Sequence, residues 1–223
     1  MSDEHRCKIL DAAARVYAQV GWRGATTKRI AEAAGVNEVT LFRHFGSKDT
    51  LLQQMIQELS LLGDDITLPM QVADPEAELL AWATAHYARI THMRAIARQV
   101  ISDAEWRPEV AACATHGPSA AAAQLRQYAV VLRRAGHLAS ADQLTPGELN
   151  AACGMLMGAL FADGMNRDMM PGMFSQPADE SLRGYVRMFL RAIGAQVAPL
   201  MTGEAAWTAL EPSPALSHSD GSP

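Results

Sequence analysis

The sequence predicts an all-α protein with a small three-helix unit at its N-terminus and a larger helical unit after it. Apolar residues recur three and four positions apart over most of the chain, which is the spacing of one face of an α-helix. Residues typical of helix N-caps open successive short segments, namely Thr26 and Thr27, then Asn37, then Ser47, and Gly35 follows the first segment as a helix-ending glycine. Hydrophobic residues make up 49% of the chain, enough to build a core.

The first 47 residues predict three short helices around a tight turn. The first covers 3–20 and ends at Gly21, with an apolar face formed by Ile9, Ala13, Val16 and Val20. Two shorter helices follow, 26–34 and 38–44, separated by the turn at 35–37. Leu41 and Phe45 lie on one side of the third helix and leave a mixed face on the other side. Two helices about a tight turn, the second with an exposed mixed face, is the layout of a helix-turn-helix.

At this point the sequence resembles the TetR family of bacterial transcriptional regulators. The resemblance covers roughly residues 6–55 and depends on the phrase TLFRHFGSKDTLL together with the helix before it. It places residues of the family pattern at Thr27, Thr40, His44, Phe45 and Lys48. Beyond residue 55 the resemblance is architectural only, in length and helical content. The alternative is an ordinary helical hairpin within a bundle.

Charge is distributed unevenly along the chain. Residues 1–50 hold eight Lys and Arg against six Asp and Glu, a net charge of +2, whereas residues 51–223 hold eleven against eighteen, a net charge of −7. The positive end is the end with the helix-turn-helix, as contact with phosphates requires. The asymmetry is modest and only supports the motif.

Candidate DNA contacts follow from the helix starts and from the mixed face. Thr27 and Lys48 lie at helix N-termini, where free amides and a lysine suit a phosphate; His44 could act in the same way, and capping with solvation is the alternative. The resemblance places the family's phosphate-contacting tyrosine at Phe42, so that hydroxyl is lost here. Glu38 either contacts a base or pairs with Arg43. The candidates for base edges are Lys28, Glu38, Val39, Thr40 and Arg43.

The rest of the chain predicts seven further helices and a tail. A capping box at Thr145 and Glu148 opens one of them, and the pair 117–118 is expected to separate two others. The predicted helices are 47–62, 75–91, 94–104, 108–114, 119–135, 146–166 and 179–200. The predicted organisation is a DNA-binding domain at 1–47, an effector-binding and dimerisation domain at 48–200, and a flexible tail at 201–223.

Helix 146–166 has no charged residue between Leu149 and Ala162, which predicts a helix buried on every side. Gly154 and Gly158, one turn apart, permit close approach of a neighbouring helix. The last helix, 179–200, has an apolar stripe and a separate basic stripe of Arg183, Arg187 and Arg191. We expect these two helices to meet their copies in a four-helix bundle, making the protein a homodimer.

The ligand site is predicted from residue types alone. Aromatic rings stack, and methionine adapts to irregular shapes, so together they can form the wall of a pocket for a largely apolar and aromatic molecule. The predicted wall consists of Trp82, His86, Tyr87, Trp106 and Met157, and the further candidates are His92, Met93, Cys113, Met155 and Phe161. Plain core packing is the alternative for each of them.

Other function classes receive no support from the sequence. The three cysteines are far apart and lack metal-ligand spacing, which predicts free thiols in a reducing compartment, the cytoplasm. The N-terminus has no apolar run typical of a signal peptide, and the longest apolar run is shorter than the about 20 residues that a membrane span needs. No catalytic constellation, cofactor motif or metal cluster stands out, so we expect no enzyme, no cofactor and no metal.

These observations predict a ligand-responsive DNA-binding regulator, most simply a repressor, whose partners are operator DNA, a small effector and a second copy of itself. Two alternatives stay open. One is a helical small-molecule binder or enzyme with an incidental helix-turn-helix. The other is a DNA-binding regulator without an effector.

Overall fold

The computed structural model describes residues 3–62, 65–138 and 144–197, and this part of the chain forms ten α-helices. The all-α prediction is confirmed: the described residues contain no β-strand, only an isolated antiparallel bridge between Leu138 and Ala195. The helices are α1 (Asp3–Gly24), α2 (Thr27–Ala34), α3 (Glu38–Phe45), α4 (Lys48–Leu61), α5 (Pro75–His92), α6 (Arg94–Ala104), α7 (Pro108–Ala114), α8 (His116–Arg134), α9 (Pro146–Asn166) and α10 (Ala178–Ala192).

Local capping chemistry sets the bounds of α2, α3 and α4. The side chain of Thr26 accepts a hydrogen bond from the amide of Arg29, and Asn37 and Ser47 do the same at the next two helix starts. Gly35 adopts the left-handed conformation, with φ 66°, that ends α2. The three N-caps are therefore where the sequence predicts them.

The first helix bends at Gly21, where φ is 63°, and continues for one more turn to Gly24. The prediction that it ends at Gly21 is thus correct only for its regular part. Val20 is 40% exposed, so its assignment to the buried face is wrong. Trp22, 1% exposed, packs into the core after the bend instead.

The N-terminal core is shared with helices from the second half of the chain. Helix α4 contributes Leu51, Leu52 and Met55 to it, and α7 contributes the fully buried Val110. Part of α6 packs against the same core. The three-helix unit is therefore braced directly by α4, α6 and α7, rather than by a single linking helix.

The second core lies between α5, α8, α9 and α10. It contains Leu79, Leu125, Leu160 and Phe189 among its fully or almost fully buried side chains. Two buried ionic contacts tie the helices together. One joins Arg187 of α10 to Glu76 of α5 at 2.7 Å, so the predicted basic stripe of α10 is not a surface feature along its whole length.

The other ionic contact centres on Asp163 of α9, which is fully buried. It accepts hydrogen bonds from the guanidinium of Arg167 at 2.6 and 2.7 Å and from the hydroxyls of Tyr87 and Tyr185, both at 3.0 Å. Burial alone would raise the pKa of Asp163, but these hydrogen bonds outweigh it and hold the pKa below its usual value. The carboxylate thus joins α5, α9 and α10 while it stays ionised.

Two predicted boundaries are wrong. Helix α8 begins at His116 and not at 119, because a proline is tolerated in the first turn, where its missing N–H has no helical partner to lose. A Cβ atom at Gly117 would lie 2.4 Å from the carbonyl oxygen of Ser60, so a glycine allows α8 to approach α4. Helix α10 ends at Ala192 and not at 200, because the chain reverses at Gly194, with φ 80°; residues 198–200 lie outside the described part, as does the predicted tail at 201–223.

Helix α9 begins and ends where the sequence predicts, and both hydrogen bonds of its capping box are present. One side of it is nevertheless exposed in the single chain: Met155 is 67% and Phe161 43% exposed. Nothing lies within 4 Å of a Cβ atom placed at Gly154 or Gly158. Within the single chain, therefore, α9 is not buried on every side, and an apolar face of this helix is left uncovered by the described residues; its burial against a second copy stays a prediction.

Candidate nucleic-acid interface and internal cavity

Helix α3 presents a mixed face to solvent because its other face is anchored in the core. Leu41 is fully buried and Phe45 is 4% exposed, whereas Val39 is 72% and Phe42 46% exposed, and Arg43 is exposed as well. Phe42 therefore lies at the surface, where the resemblance expects a tyrosine. An eight-residue helix held in this way has the exposed groups that a major groove can contact.

The structure brings three of the predicted DNA-contacting residues together. Thr40, Arg43 and His44 line one surface concavity with His5 of α1 and the turn that precedes α3. Lys28 is exposed on α2. The concavity therefore adjoins the exposed face of α3, and Arg43 belongs to both.

Thr27 and Glu38, two predicted contacts, bond to each other. The hydroxyl of Thr27 donates to a carboxylate oxygen of Glu38 at 2.5 Å. Thr26, and not Thr27, supplies the cap of α2. Glu38 therefore has a third partner besides the base and the Arg43 that the sequence suggests, and this bond fixes the start of α2 against the start of α3.

Lys48 begins α4 beside the bend of α1. Its ammonium donates to the carbonyl oxygen of Trp22 at 2.6 Å, and the indole N–H of Trp22 donates to Asp49 at 3.1 Å. Burial lowers the pKa of Lys48 from its usual value. Because an ammonium has three N–H donors, the bond to Trp22 leaves two that can reach a phosphate.

A cavity of about 440 Å³ lies between α4, α5, α6, α8 and α9, and it opens to solvent beside the exposed residues Ile101 and Phe161. This volume falls within the range of about 300–1,000 Å³ usual for small-molecule sites. Its wall is almost wholly aliphatic, with methionine and a single aromatic ring. The lining residues are Ile56, Leu59, Ser60, Arg89, Ile90, Met93, Ile96, Ala97, Val100, Ile101, Ala114, Pro118, Met157, Gly158 and Phe161.

Of the five residues predicted for the ligand wall, the structure places only Met157 on this cavity. Trp82 is buried and donates its indole N–H to Gln124 at 3.1 Å; the ring of His86 packs against it with centroids 4.2 Å apart. Tyr87 bonds to Asp163. Trp106 is 81% exposed, because it follows the end of α6 and the core lies on the other side of that helix.

Sequence reasoning missed the lining residues of α6 and also Arg89. Aliphatic residues at helical spacing, such as Ile96 and Val100, are indistinguishable from core residues until the neighbouring helices are in position. Met93 and Phe161 do line the cavity, so the methionine signal was partly informative. The available signal for a polar group on the wall was an arginine, Arg89, that lies between the apolar residues Ala88 and Ile90 of α5.

His86, 3% exposed, is held neutral near the cavity. Burial first, and then the positive charge of Arg89, lower the pKa of His86 to about 4. The described residues contain no cluster of three or more His, Cys, Asp or Glu side chains suited to a metal ion. Among the same residues no helix combines the length and the apolar character that a membrane span requires.

Comparison with known proteins agrees with this arrangement. Residues 9–55 match the model of "Bacterial regulatory proteins, tetR family". The HTH-type transcriptional regulator YvkB of Bacillus subtilis is 24% identical over 84% of this chain and 96% of its own length. The HTH-type transcriptional repressor KstR2 of Rhodococcus jostii is 32% identical, over 38% of this chain and 43% of its own length.

Solved structures of similar fold cover most of the chain. A TetR-family transcriptional regulator of Streptomyces coelicolor superposes with a TM-score of 0.67 at 15% identity, covering 86% of this chain and 81% of its own. The fatty acid degradation regulator FadR of Bacillus halodurans superposes with a TM-score of 0.64 at 21% identity, covering 85% and 96%. At these identities the likeness concerns the fold.

A three-helix unit whose third helix presents an exposed face, braced by a helical domain with a cavity, is the layout of a helix-turn-helix transcriptional regulator. The matching residues 9–55 coincide with that unit, and the relatives that match are named as transcriptional regulators. The DNA-binding unit is that of the TetR family of bacterial transcriptional regulators, whose model it matches over residues 9–55. Proteins of this family bind operator DNA and usually act as dimers that respond to small-molecule effectors.

Proposed function

We propose that this protein is a homodimeric repressor that a small, largely apolar effector releases from a palindromic operator. One observation supports this most strongly: α4 forms part of the wall of the cavity through Ile56, Leu59 and Ser60, and its other end begins at Lys48, beside α3. A molecule that displaces α4 from within the cavity would therefore move the DNA-contacting surface.

Helix α6 offers a second connection between cavity and DNA surface. Ile96 and Val100 line the cavity. Asp103, at the end of the same helix, accepts hydrogen bonds from the hydroxyl of Tyr17 at 2.7 Å and from the amide of Trp22 at 3.1 Å, at the bend of α1. An effector that shifts α6 would thus act on α1 directly.

The coupling between effector and DNA has a thermodynamic requirement. Only a ligand that binds one arrangement of the reading units more tightly can shift the equilibrium between the arrangements, and DNA must weaken ligand binding by the same factor by which the ligand weakens DNA binding.

The uncovered apolar face of α9 and α10 supports a dimer. Met155 and Met188 are 67% and 62% exposed, and with Tyr185 they border a concavity of about 190 Å³. A single helix-turn-helix contacts too little DNA for specificity, and a two-fold dimer would present two copies of α3 about 34–36 Å apart, or a related spacing.

The dimer is tested with a charge on this face alone. Gly154→Glu is suitable, because Gly154 is exposed, has no neighbour within 4 Å of a Cβ atom and does not line the cavity. An unpaired buried charge is strongly unfavourable, so we expect monomer in analytical ultracentrifugation. Gln127→Glu, which adds the same charge on an exposed position of α8, should stay dimeric. If the Gly154→Glu protein is still a dimer, the dimer interface does not include this face of α9.

Operator recognition is tested by selecting binding sites from random DNA and then substituting single bases. Arg43→Ala should cost about 1–3 kcal/mol and relax the choice at one base position. Lys48→Ala should weaken all sequences alike and make binding less dependent on salt. A base-substitution profile that Arg43→Ala leaves unchanged would remove Arg43 from base reading, and selection of no palindrome would refute the operator proposal.

A further inference from the structure

The described part of the cavity wall contains one charged side chain. Among the described residues that line it, Ser60 and Arg89 alone have polar side chains, and only Arg89 is charged. The hydroxyl of Ser60 donates to the carbonyl oxygen of Gln57 at 2.8 Å, so its proton is already used. Among the described lining residues a ligand cation would find no carboxylate, whereas an anion would find the guanidinium of Arg89.

Arg89 lies where three helices meet. Gly117 of α8 lies close to both Arg89 and Ser60. An added Cβ atom at Gly117 would be 3.7 Å from Nη2 of Arg89 and 2.4 Å from the carbonyl oxygen of Ser60. Ser60 belongs to the last turn of α4, whose terminal carbonyls have no helical partners and concentrate negative charge. The guanidinium is thus close to the end of the helix that reaches the DNA surface at Lys48.

We propose that the effector is an amphiphile with an aliphatic body and one carboxylate, and that Arg89 binds the carboxylate. The planar guanidinium matches a carboxylate through two parallel hydrogen bonds, and the aliphatic wall accepts the hydrocarbon. The carboxylate then competes with the carbonyl end of α4 for the positive charge of Arg89. This inference rests on the proposed function and names its ligand class. If Arg89 instead only opposed the helix dipole at the end of α5 and lay away from the ligand head group, the three head groups would bind alike.

The test compares three probes that share a ten-carbon chain: decanoate, 1-decanol and decyltrimethylammonium, each below its micelle concentration at pH 7.5. Affinities are measured by calorimetry on the full-length protein. We expect decanoate to bind at least tenfold tighter than decanol, about 1.4 kcal/mol, and the cation to bind more weakly still. Decanol or the cation binding as tightly as decanoate, or no binding by any probe, would overturn the inference.

The decisive variant is Arg89→Gln, which keeps hydrogen-bond donors and removes the charge. It should lose the preference for decanoate over decanol and leave the affinity for decanol within about twofold. Arg126→Gln removes an equal charge from an exposed position of α8 outside the cavity and should keep the preference. A preference that survives in Arg89→Gln refutes the role of Arg89. If Arg89→Gln does not fold, Arg89→Lys should reduce the preference severalfold through loss of the two-pronged contact, and an unchanged preference would refute it equally.

Failure of the ligand class and failure of the cavity itself give different results. Ala97→Phe, or the milder Ala97→Leu, adds bulk to the cavity from α6 while Arg89 on α5 is unchanged, and it should weaken decanoate and decanol alike. If both affinities stay unchanged in folded Ala97 variants, the probes bind elsewhere and the proposed effector site is wrong. If both fall but decanoate is not preferred in the wild type, the cavity stands and the carboxylate class is refuted.

Discussion

Asp103 connects the cavity helix α6 to the DNA-binding unit, and its removal should destabilise the protein by a predictable amount. One carboxylate oxygen accepts from the hydroxyl of Tyr17 at 2.7 Å and from the amide of Trp22 at 3.1 Å. Tyr17 and Trp22 are both buried. A hydrogen bond to a charged group contributes about 1.5–3 kcal/mol, and because the two bonds share one oxygen of a half-buried acid, we expect Asp103→Ala to cost about 2–4 kcal/mol in total.

The measurement is urea denaturation followed by circular dichroism, with the free energy of unfolding extrapolated to water. Glu105→Ala is the matched control, because it removes an exposed carboxylate two residues along the chain and should change stability by less than about 0.5 kcal/mol. A double-mutant cycle with Tyr17→Phe isolates the hydroxyl contact, for which we expect a coupling of about 1 kcal/mol or more.

The same variant tests whether α6 communicates with the DNA surface. If it does, Asp103→Ala protein should still bind effector, but the effector should weaken operator binding severalfold less than in the wild type. The reasoning is refuted if Asp103→Ala is as stable as Glu105→Ala. It is refuted for the coupling role if stability falls and the effector response stays unchanged at a temperature where both proteins are folded.

Two further predictions concern the core. Asp163→Asn should lower the free energy of unfolding by about 3–5 kcal/mol because it leaves Arg167 without its buried partner. Because folding lowers the pKa of Asp163, the ionised carboxylate stabilises the fold fully above about pH 4, and this stabilisation is lost as the pH falls further. In urea titrations the wild type should therefore lose more stability than Asp163→Asn on acidification below about pH 4. Gly117→Ala should cost about 1–3 kcal/mol through the contact with Ser60, whereas Gly147→Ala, in an open first turn, should be neutral or stabilising by up to about 1 kcal/mol in thermal melts; equal melting temperatures would refute the steric argument.

Much of this fold is determined by local sequence. The caps at Thr26, Asn37 and Ser47 and the glycine after α2 act within a few residues, so the helix-turn-helix could be predicted with nearly correct bounds. The same is true of α9, whose capping box and uncharged stretch specify a helix by themselves. The exposed face of α3 also follows locally, because Leu41 and Phe45 must point to the same side of a short helix.

The tertiary structure determined which helix faces lie in the core and which line the cavity. Trp82, His86 and Tyr87 have the residue types of a binding wall, yet packing assigns them to the core, while the aliphatic residues of α6 border the cavity. The roles of Gly117 and Arg89 also depend on neighbours that are distant in sequence. The need for a glycine at position 117 comes from the approach of α8 to Ser60, and the position of Arg89 beside α4 and α8 is known only once these helices are packed. Periodicity along a chain identifies which residues share a face, but the partner of each face is set by contacts between residues far apart in sequence.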